Sequence, residues 1–261
     1  MTNGRALRLA LAATLVAATP ALAQVDCGAT IAKKQKVTLA GNLGPCDGVD
    51  AALVVDSGTL DLGGYTVSCA DLDGDGDLPQ GIVLFGKKAK VMNGTVVGCS
   101  NGVGLAGDGK HVVSGMTVLE SADDGIDVVP GADKCKIKDS TAMRNADDGI
   151  QLRSDKNKLV GNVASENGDD GYDLWSSAER NKVADARAER NGATGLLVDG
   201  SKNTLARITA TANRTVGIDL AGTQNRVRGG VAQTNATYDL AGCPGDKVQK
   251  LSYETAAPDC Q

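Results

Sequence analysis

Asp169, Asp170 and Asp173 crowd into five positions of the stretch NGDDGYDLW, Asn167 to Trp175. The same Asp-Asp-Gly-x-Asp order occurs at Asp123 to Asp127, and Asp147-Asp148-Gly149 lies between the two. Crowded carboxylates bind a cation, take up protons, or spread into solvent. At an effective dielectric of about 20, two of them roughly 5 Å apart repel by about 3 kcal/mol. One Asp before a turn glycine is ordinary Asx-turn chemistry. The triple adds a carboxylate beyond the glycine to the two at the turn, which suits calcium, an ion that takes roughly six to eight oxygens. Only the second triple has an Asp pair one copy earlier; Ser100 and Asn101 precede the first. The best cage is therefore Asp148, Asp169, Asp170 and Asp173.

These residues sit in a repeat. A glycine followed by aliphatic-x-aliphatic occurs at Gly81, Gly102, Gly125, Gly149, Gly171, Gly195 and Gly217, at spacings of 21, 23, 24, 22, 24 and 22, with a frayed copy at Thr237 to Leu240. Apolar residues one and three after the glycine with a mostly polar one between them have the period of a half-buried strand. Asn157, Asn181, Asn203 and Asn225 fall midway through successive units, and Asn145, Asn167, Asn191 and Asn213 fall four residues before the next glycine. Units this short bury a core only by stacking, and corner asparagines can then pair amides between coils. Residues two after each glycine should form an outward column, Val83, Gly104, Asp127, Gln151, Asp173, Leu197 and Asp219, at about 4.8 Å intervals.

This pattern resembles the right-handed parallel β-helix repeat family over roughly residues 50–240, and LDLGGYTV, Leu60 to Val67, is similar to an opening coil of such proteins. Leucine-rich repeats share a period of about 20–29 residues but need a leucine-dense consensus that is missing here. The expected fold is all-β: a right-handed parallel β-helix (solenoid) with disulfide-stapled end caps. Its parts are a signal peptide at 1–23, an N-terminal cap at 24–50, the helix at 51–240 and a C-terminal cap at 241–261.

Arg5 and Arg8, the apolar run Leu9 to Ala18 and the small-residue site Ala21-Leu22-Ala23 have the three parts of a secretory signal, predicting a mature start at Gln24 and a secreted or periplasmic location. No segment reaches the roughly 20 apolar residues of a membrane span. Losing two Arg takes the net charge from −5 to −7, which makes nucleic acid an unfavourable partner. The chain is expected to be a monomer. Of seven cysteines, Cys27 with Cys46 and Cys243 with Cys260 read as staples, and Cys135 is the expected unpaired thiol.

NGDDGYDLW also resembles the calcium-site stretch of the family 9 polysaccharide lyases, β-helical pectate lyases in which Asn-x-Asp-Asp-Gly-aromatic-Asp-Leu binds calcium with an Asp from the preceding coil. NADDGI, Asn145 to Ile150, is similar to that coil. The resemblance implies calcium as cofactor, the ligands Asp148, Asp169, Asp170 and Asp173, and a uronate-containing polysaccharide as partner. The family's base lysine is unmatched: the comparable strand is Gly195-Leu196-Leu197-Val198, with Leu197 in the outward slot. Abstraction of the α-proton needs a base, and Arg153 and Lys202 are the nearest substitutes.

Two further functions compete with a calcium-dependent eliminase. One is a noncatalytic surface or glycan-binding solenoid. The other is a polygalacturonase-like hydrolase, whose stacked acids Asp124, Asp147 and Asp148 resemble in outline, although that family's histidine-glycine element and Arg-x-Lys are missing and the one histidine, His111, lies upstream. His111 reads as an ordinary polar side chain at a strand end. DLDGDGD, Asp71 to Asp77, reads as a flexible acidic loop or a weak calcium loop, with Ile82 where a bidentate Glu is expected. The ladder Lys90, Lys136, Lys158, Lys182 and Arg226 reads as solubilising charge, with contact to an anionic glycan as the alternative.

Overall fold

The computed structural model describes residues 22–72, 74 and 76–260. The expected signal segment lies outside them except for Leu22–Ala23, which pairs in parallel with Thr38 and Leu39. Asp73 and Asp75 of the acidic loop also lie outside the described residues. Both oxygens of Asp71 in that loop accept backbone N–H groups, from Gly74 at 2.7 Å and Gly76 at 3.0 Å.

The short apolar-x-apolar elements form a ten-stranded parallel sheet that takes one strand from each coil, from Ala29–Ile31 to Tyr238–Ala241. A sixteen-stranded sheet wraps the remaining sides. In one coil the chain runs through Ile150–Leu152, Lys158–Val160 and Val163–Ser165. Gly161, with φ 70°, makes the bend between the last two, and Asp139 and Asp185 hold the same left-handed conformation in the neighbouring coils. The resulting parallel solenoid has about ten turns. Both expected caps continue it, since Lys36–Leu39 pairs with Thr59–Asp61 and Lys247–Tyr253 with Arg226–Gln233. No helix among the described residues is long and apolar enough to cross a membrane.

The expected alternation is realised. Ile126, Val128, Ile150, Leu152, Leu174, Leu196 and Val198 are fully buried, as is Tyr172, whose hydroxyl donates to the Asn162 carbonyl at 2.8 Å. The glycine that opens each front strand is required by the stacking distance. A Cβ on Gly171 would stand 2.6 Å from the Gly195 oxygen and 2.6 Å from Asn191 Nδ2. At that corner the Asn145, Asn167, Asn191 and Asn213 amides bond one to the next at 2.9, 3.0 and 2.9 Å, a buried polar stack with its donors and acceptors paired.

The other asparagine column works differently. Each amide oxygen takes the backbone N–H of the coil before, as Asn181 does from Asn157 at 2.7 Å and Asn203 from Asn181 at 2.7 Å. His111 fills the same role two coils before Asn157. Its Nδ1 accepts the Ala89 N–H at 3.2 Å and its Nε2 meets the Ala106 carbonyl at 2.7 Å, the arrangement of a neutral imidazole with its proton on Nε2. Burial lowers its pKa accordingly. The side chain expected as an ordinary polar group at a strand end is thus a buried structural link.

Disulfides Cys27–Cys46 and Cys243–Cys260 close the two ends as expected. A third, Cys69–Cys99, ties neighbouring coils, and Cys135 is a buried free thiol.

Candidate functional site

The register sets Val54, Val83, Gly104, Asp127, Gln151, Asp173, Leu197 and Asp219 side by side on the outer face of the ten-stranded sheet. This is the expected column, but it does not stand in open solvent. Asp127, Gln151 and Asp173 are only 6, 8 and 9% exposed, so they form the floor of a trough. Over Val54, Val83, Gly104 and Asp127 the trough opens into a cavity of about 310 Å³, also lined by Gln80 and Asn101.

One wall is a carboxylate ladder at the turn before each glycine. Asp124 Oδ1 accepts the Asp148 N–H at 3.2 Å, Asp148 Oδ1 the Asp170 N–H at 2.9 Å, and Asp170 Oδ1 the Thr194 N–H at 2.6 Å. The inter-coil bonds orient one oxygen of each buried acid and hold the acids at strand spacing. The preceding residues Asp123, Asp147 and Asp169 are more exposed. Two groups bring carboxylate oxygens within 4.8 Å of one another: Asp123 with Asp124 and Asp147, and Asp147 with Asp148 and Asp169.

Two of the four expected ligands, Asp148 and Asp169, therefore share a group, with Asp147, expected only as an acid of the hydrolase alternative, as its third member. Asp170 and Asp173 stand beside it. Asp173 is close enough to Asp148 and Asp170 for both to raise its pKa, and its Oδ1 is buried without a hydrogen-bond partner.

Electrostatics mark the same residues. Burial pushes Asp124 up to about 8, Asp148 to about 6, Asp170 to about 7 and Asp173 to about 8, and neighbouring carboxylates add to burial in each case. Backbone N–H donors pull Asp148 and Asp170 partly back. Such acids, ionised only at a cost, are what a divalent cation relieves. The donor set is hard oxygen and includes a buried orphan, so the residues fit calcium.

The two expected bases lie apart. Arg153 reaches from the end of strand Ile150–Leu152 to Asp127, Nη2 to Oδ2 at 2.6 Å, with its guanidinium 5.6 Å from the Trp175 ring centre. Burial raises Asp127, and Arg153 offsets part of that shift. Lys202 occupies another corner, with Nζ 3.3 Å from Glu179. Asp127, Arg153 and Trp175 form a constellation that sequence reasoning missed. Its one trace in the sequence is the single Trp, placed directly after the acidic strand and 44% exposed in the structure.

Fold and repeat together define the class: the chain belongs to the right-handed β-helix family, whose model matches residues 80–232. Its solved structural neighbours include the periplasmic alginate epimerase AlgG, 15% identical with a TM-score of 0.62, the match covering 86% of this chain and 70% of that one. Pectate lyase Pel9A is 16% identical with a TM-score of 0.57, over 89% of this chain and 68% of the lyase. The A-module of the Azotobacter vinelandii mannuronan C-5 epimerase AlgE4 is 15% identical with a TM-score of 0.63, over 81% of this chain and 66% of the module. No curated protein matches by sequence. At these identities the likeness establishes the fold, and all three neighbours are polysaccharide-acting β-helix proteins by description.

Proposed function

We propose that this is an exported β-helix protein that binds calcium and an extended acidic polysaccharide along the carboxylate trough. The buried, unpartnered Oδ1 of Asp173 beside the Asp148–Asp170 ladder carries the reading, because an ionised oxygen in that position has no hydrogen-bond donor and is stabilised by a bound cation. Asp148, Asp169, Asp170 and Asp173 would hold the ion, with Asp147 at the rim. Bound there, calcium would supply positive charge that neutralises a uronate carboxylate and so acidifies the proton α to it. The small and apolar floor at Val54, Val83 and Gly104 leaves room for sugar rings, and Trp175 offers a face on which one can stack.

Arg153 is ion-paired with Asp127 and Lys202 with Glu179, so the geometry supports binding more strongly than elimination. Calorimetric titration with calcium, and co-sedimentation with polygalacturonate and alginate with and without it, test the binding reading. Retention that calcium does not increase, or no retention at all, would count against the trough. Ultraviolet-absorbing unsaturated products would add a lyase activity. Saturated reducing ends would instead favour the hydrolase alternative, in which a buried, protonated Asp124 supplies the acid.

A further inference from the structure

The corner between the two sheets carries a second feature, opposite in charge. A column on the sixteen-stranded sheet runs in register from Lys36 to Lys247 through Lys90, Lys136, Lys158, Lys182 and Arg226, with Thr59, Val112 and Thr204 as its uncharged rungs. These nine parallel pairings at about 4.8 Å make it roughly 43 Å long. Two residues earlier in each coil a parallel column holds Lys88, Lys110, Lys134, Lys156, Arg180 and Lys202, all in the left-handed conformation and all exposed. Among the described residues the one carboxylate paired with either column is that of Glu179, with Arg180 and Lys202. Asp133 and Asp155 flank the columns, but each has an oxygen engaged by a backbone N–H of the next coil.

Solubility alone does not account for this arrangement. Another corner of the same solenoid alternates Glu120, Arg144, Glu166 and Arg190, and there Arg144 pairs with Glu120 and Arg190 with Glu166. Arg207 pairs with Asp185 in the same cross-coil manner. Like charges stacked at strand spacing repel, and those two corners avoid it by pairing opposite signs between coils. Here the chain concentrates cations, of which Arg180 and Lys202 alone have a paired carboxylate among the described residues, on a protein whose net charge is −5. At the C-terminal end the stripe sinks into a groove of about 460 Å³ lined by Lys202, Thr204, Arg226 and Lys247.

We infer that the lysine stripe is a docking surface for a linear acidic polysaccharide lying parallel to the solenoid axis and held by direct charge contacts without calcium. A polymer with one charge per sugar ring repeats at close to the strand spacing, so its charges can stay in step with the coils. The large exposed hydrophobics Tyr65, Leu72, Phe85, Trp175 and Tyr253 all lie outside the two columns, which leaves a lipid surface with nothing to anchor. This site goes beyond the carboxylate trough and is separable from it.

The test is binding of polygalacturonate with a calcium chelator present, over roughly 50 to 200 mM salt. The wild type should bind with an affinity that falls steeply with salt. The triple variant Lys136→Gln, Lys158→Gln, Lys182→Gln should bind at least about tenfold more weakly, with a log–log salt slope smaller by about 2. The triple Arg144→Gln, Arg190→Gln, Arg207→Gln makes the same charge change at compensated pairs and should bind like the wild type. Both triples should keep the wild-type melting temperature and its response to calcium, so the trough is judged separately. The inference is overturned if both triples weaken equally, if neither does, or if anionic phospholipid vesicles capture the wild type while polygalacturonate does not.

Discussion

Replacing Asp170 by Asn removes one charge from the carboxylate wall while leaving an Oδ1 to accept the Thr194 N–H at 2.6 Å. Burial raises the Asp170 pKa from 3.8 to about 7. Between those values the unfolded chain releases a proton that the folded chain keeps, so the contribution of Asp170 to stability falls as pH rises. At about 1.36 kcal/mol per pKa unit, the full cost near pH 7 is about 4 kcal/mol. The neighbouring acids share that cost, and a single substitution should recover roughly half of it. Calcium-free Asp170→Asn is therefore expected to be about 2 kcal/mol more stable than wild type near pH 7, a rise in Tm of about 4–8 °C, and nearly unchanged near about pH 4.

Calcium acts in the opposite sense on the pair. At about a hundred times its Kd it should stabilise the wild type by about 2.7 kcal/mol, or about 5–10 °C, and Asp170→Asn by less than half as much. Asp219→Asn, an outward carboxylate two coils away, should keep the full calcium shift. Calorimetric melts with calcium or chelator near pH 4 and 7 provide the measurement. Equal calcium shifts in wild type and Asp170→Asn, or a variant less stable than wild type near pH 7 without calcium, would refute the reasoning.

Because Asp124, Asp148, Asp170 and Asp173 all have raised pKa values, calcium-free wild type should lose stability as pH rises from about 5 to 8, and calcium binding should release protons. Titration near neutral pH in two buffers of different ionisation enthalpy would show the release, and identical heats would speak against it. Gly171→Ala puts a methyl 2.6 Å from the Gly195 oxygen, backbone that cannot move without its own coil, and should cost roughly 3 kcal/mol in urea unfolding; a cost below about 1 kcal/mol would contradict the stacking account. Cys135, buried with its thiol pushed up to about 11, should resist thiol reagents in the native protein and react as the sole free thiol after unfolding without reductant. Rapid native labelling would show that the coil around it opens.

Whatever repeats from one coil to the next was legible in the residue order. The glycine period set the strand register, period-two alternation set the inward Ile150 and Leu152 and the outward Asp127 and Asp173, and the asparagine spacing set both corner columns. Each depends on a residue and its copy one coil away, a distance that the repeat length encodes. How deep the outward column lies was set by packing in three dimensions, because that depends on the turns rising beside it. Packing also decided where long side chains end. Arg153 reaches Asp127 in the preceding coil and Trp175 in the following one, and Lys202 turns to Glu179 on another corner, though both were equally plausible in the sequence as neighbours of the acids. The role of His111 was hidden for a related reason. Its column partners are Ala89 and Cys135 where later coils carry Asn, so no repeating letter marked it, and the buried N–H of Ala89 alone required an acceptor there.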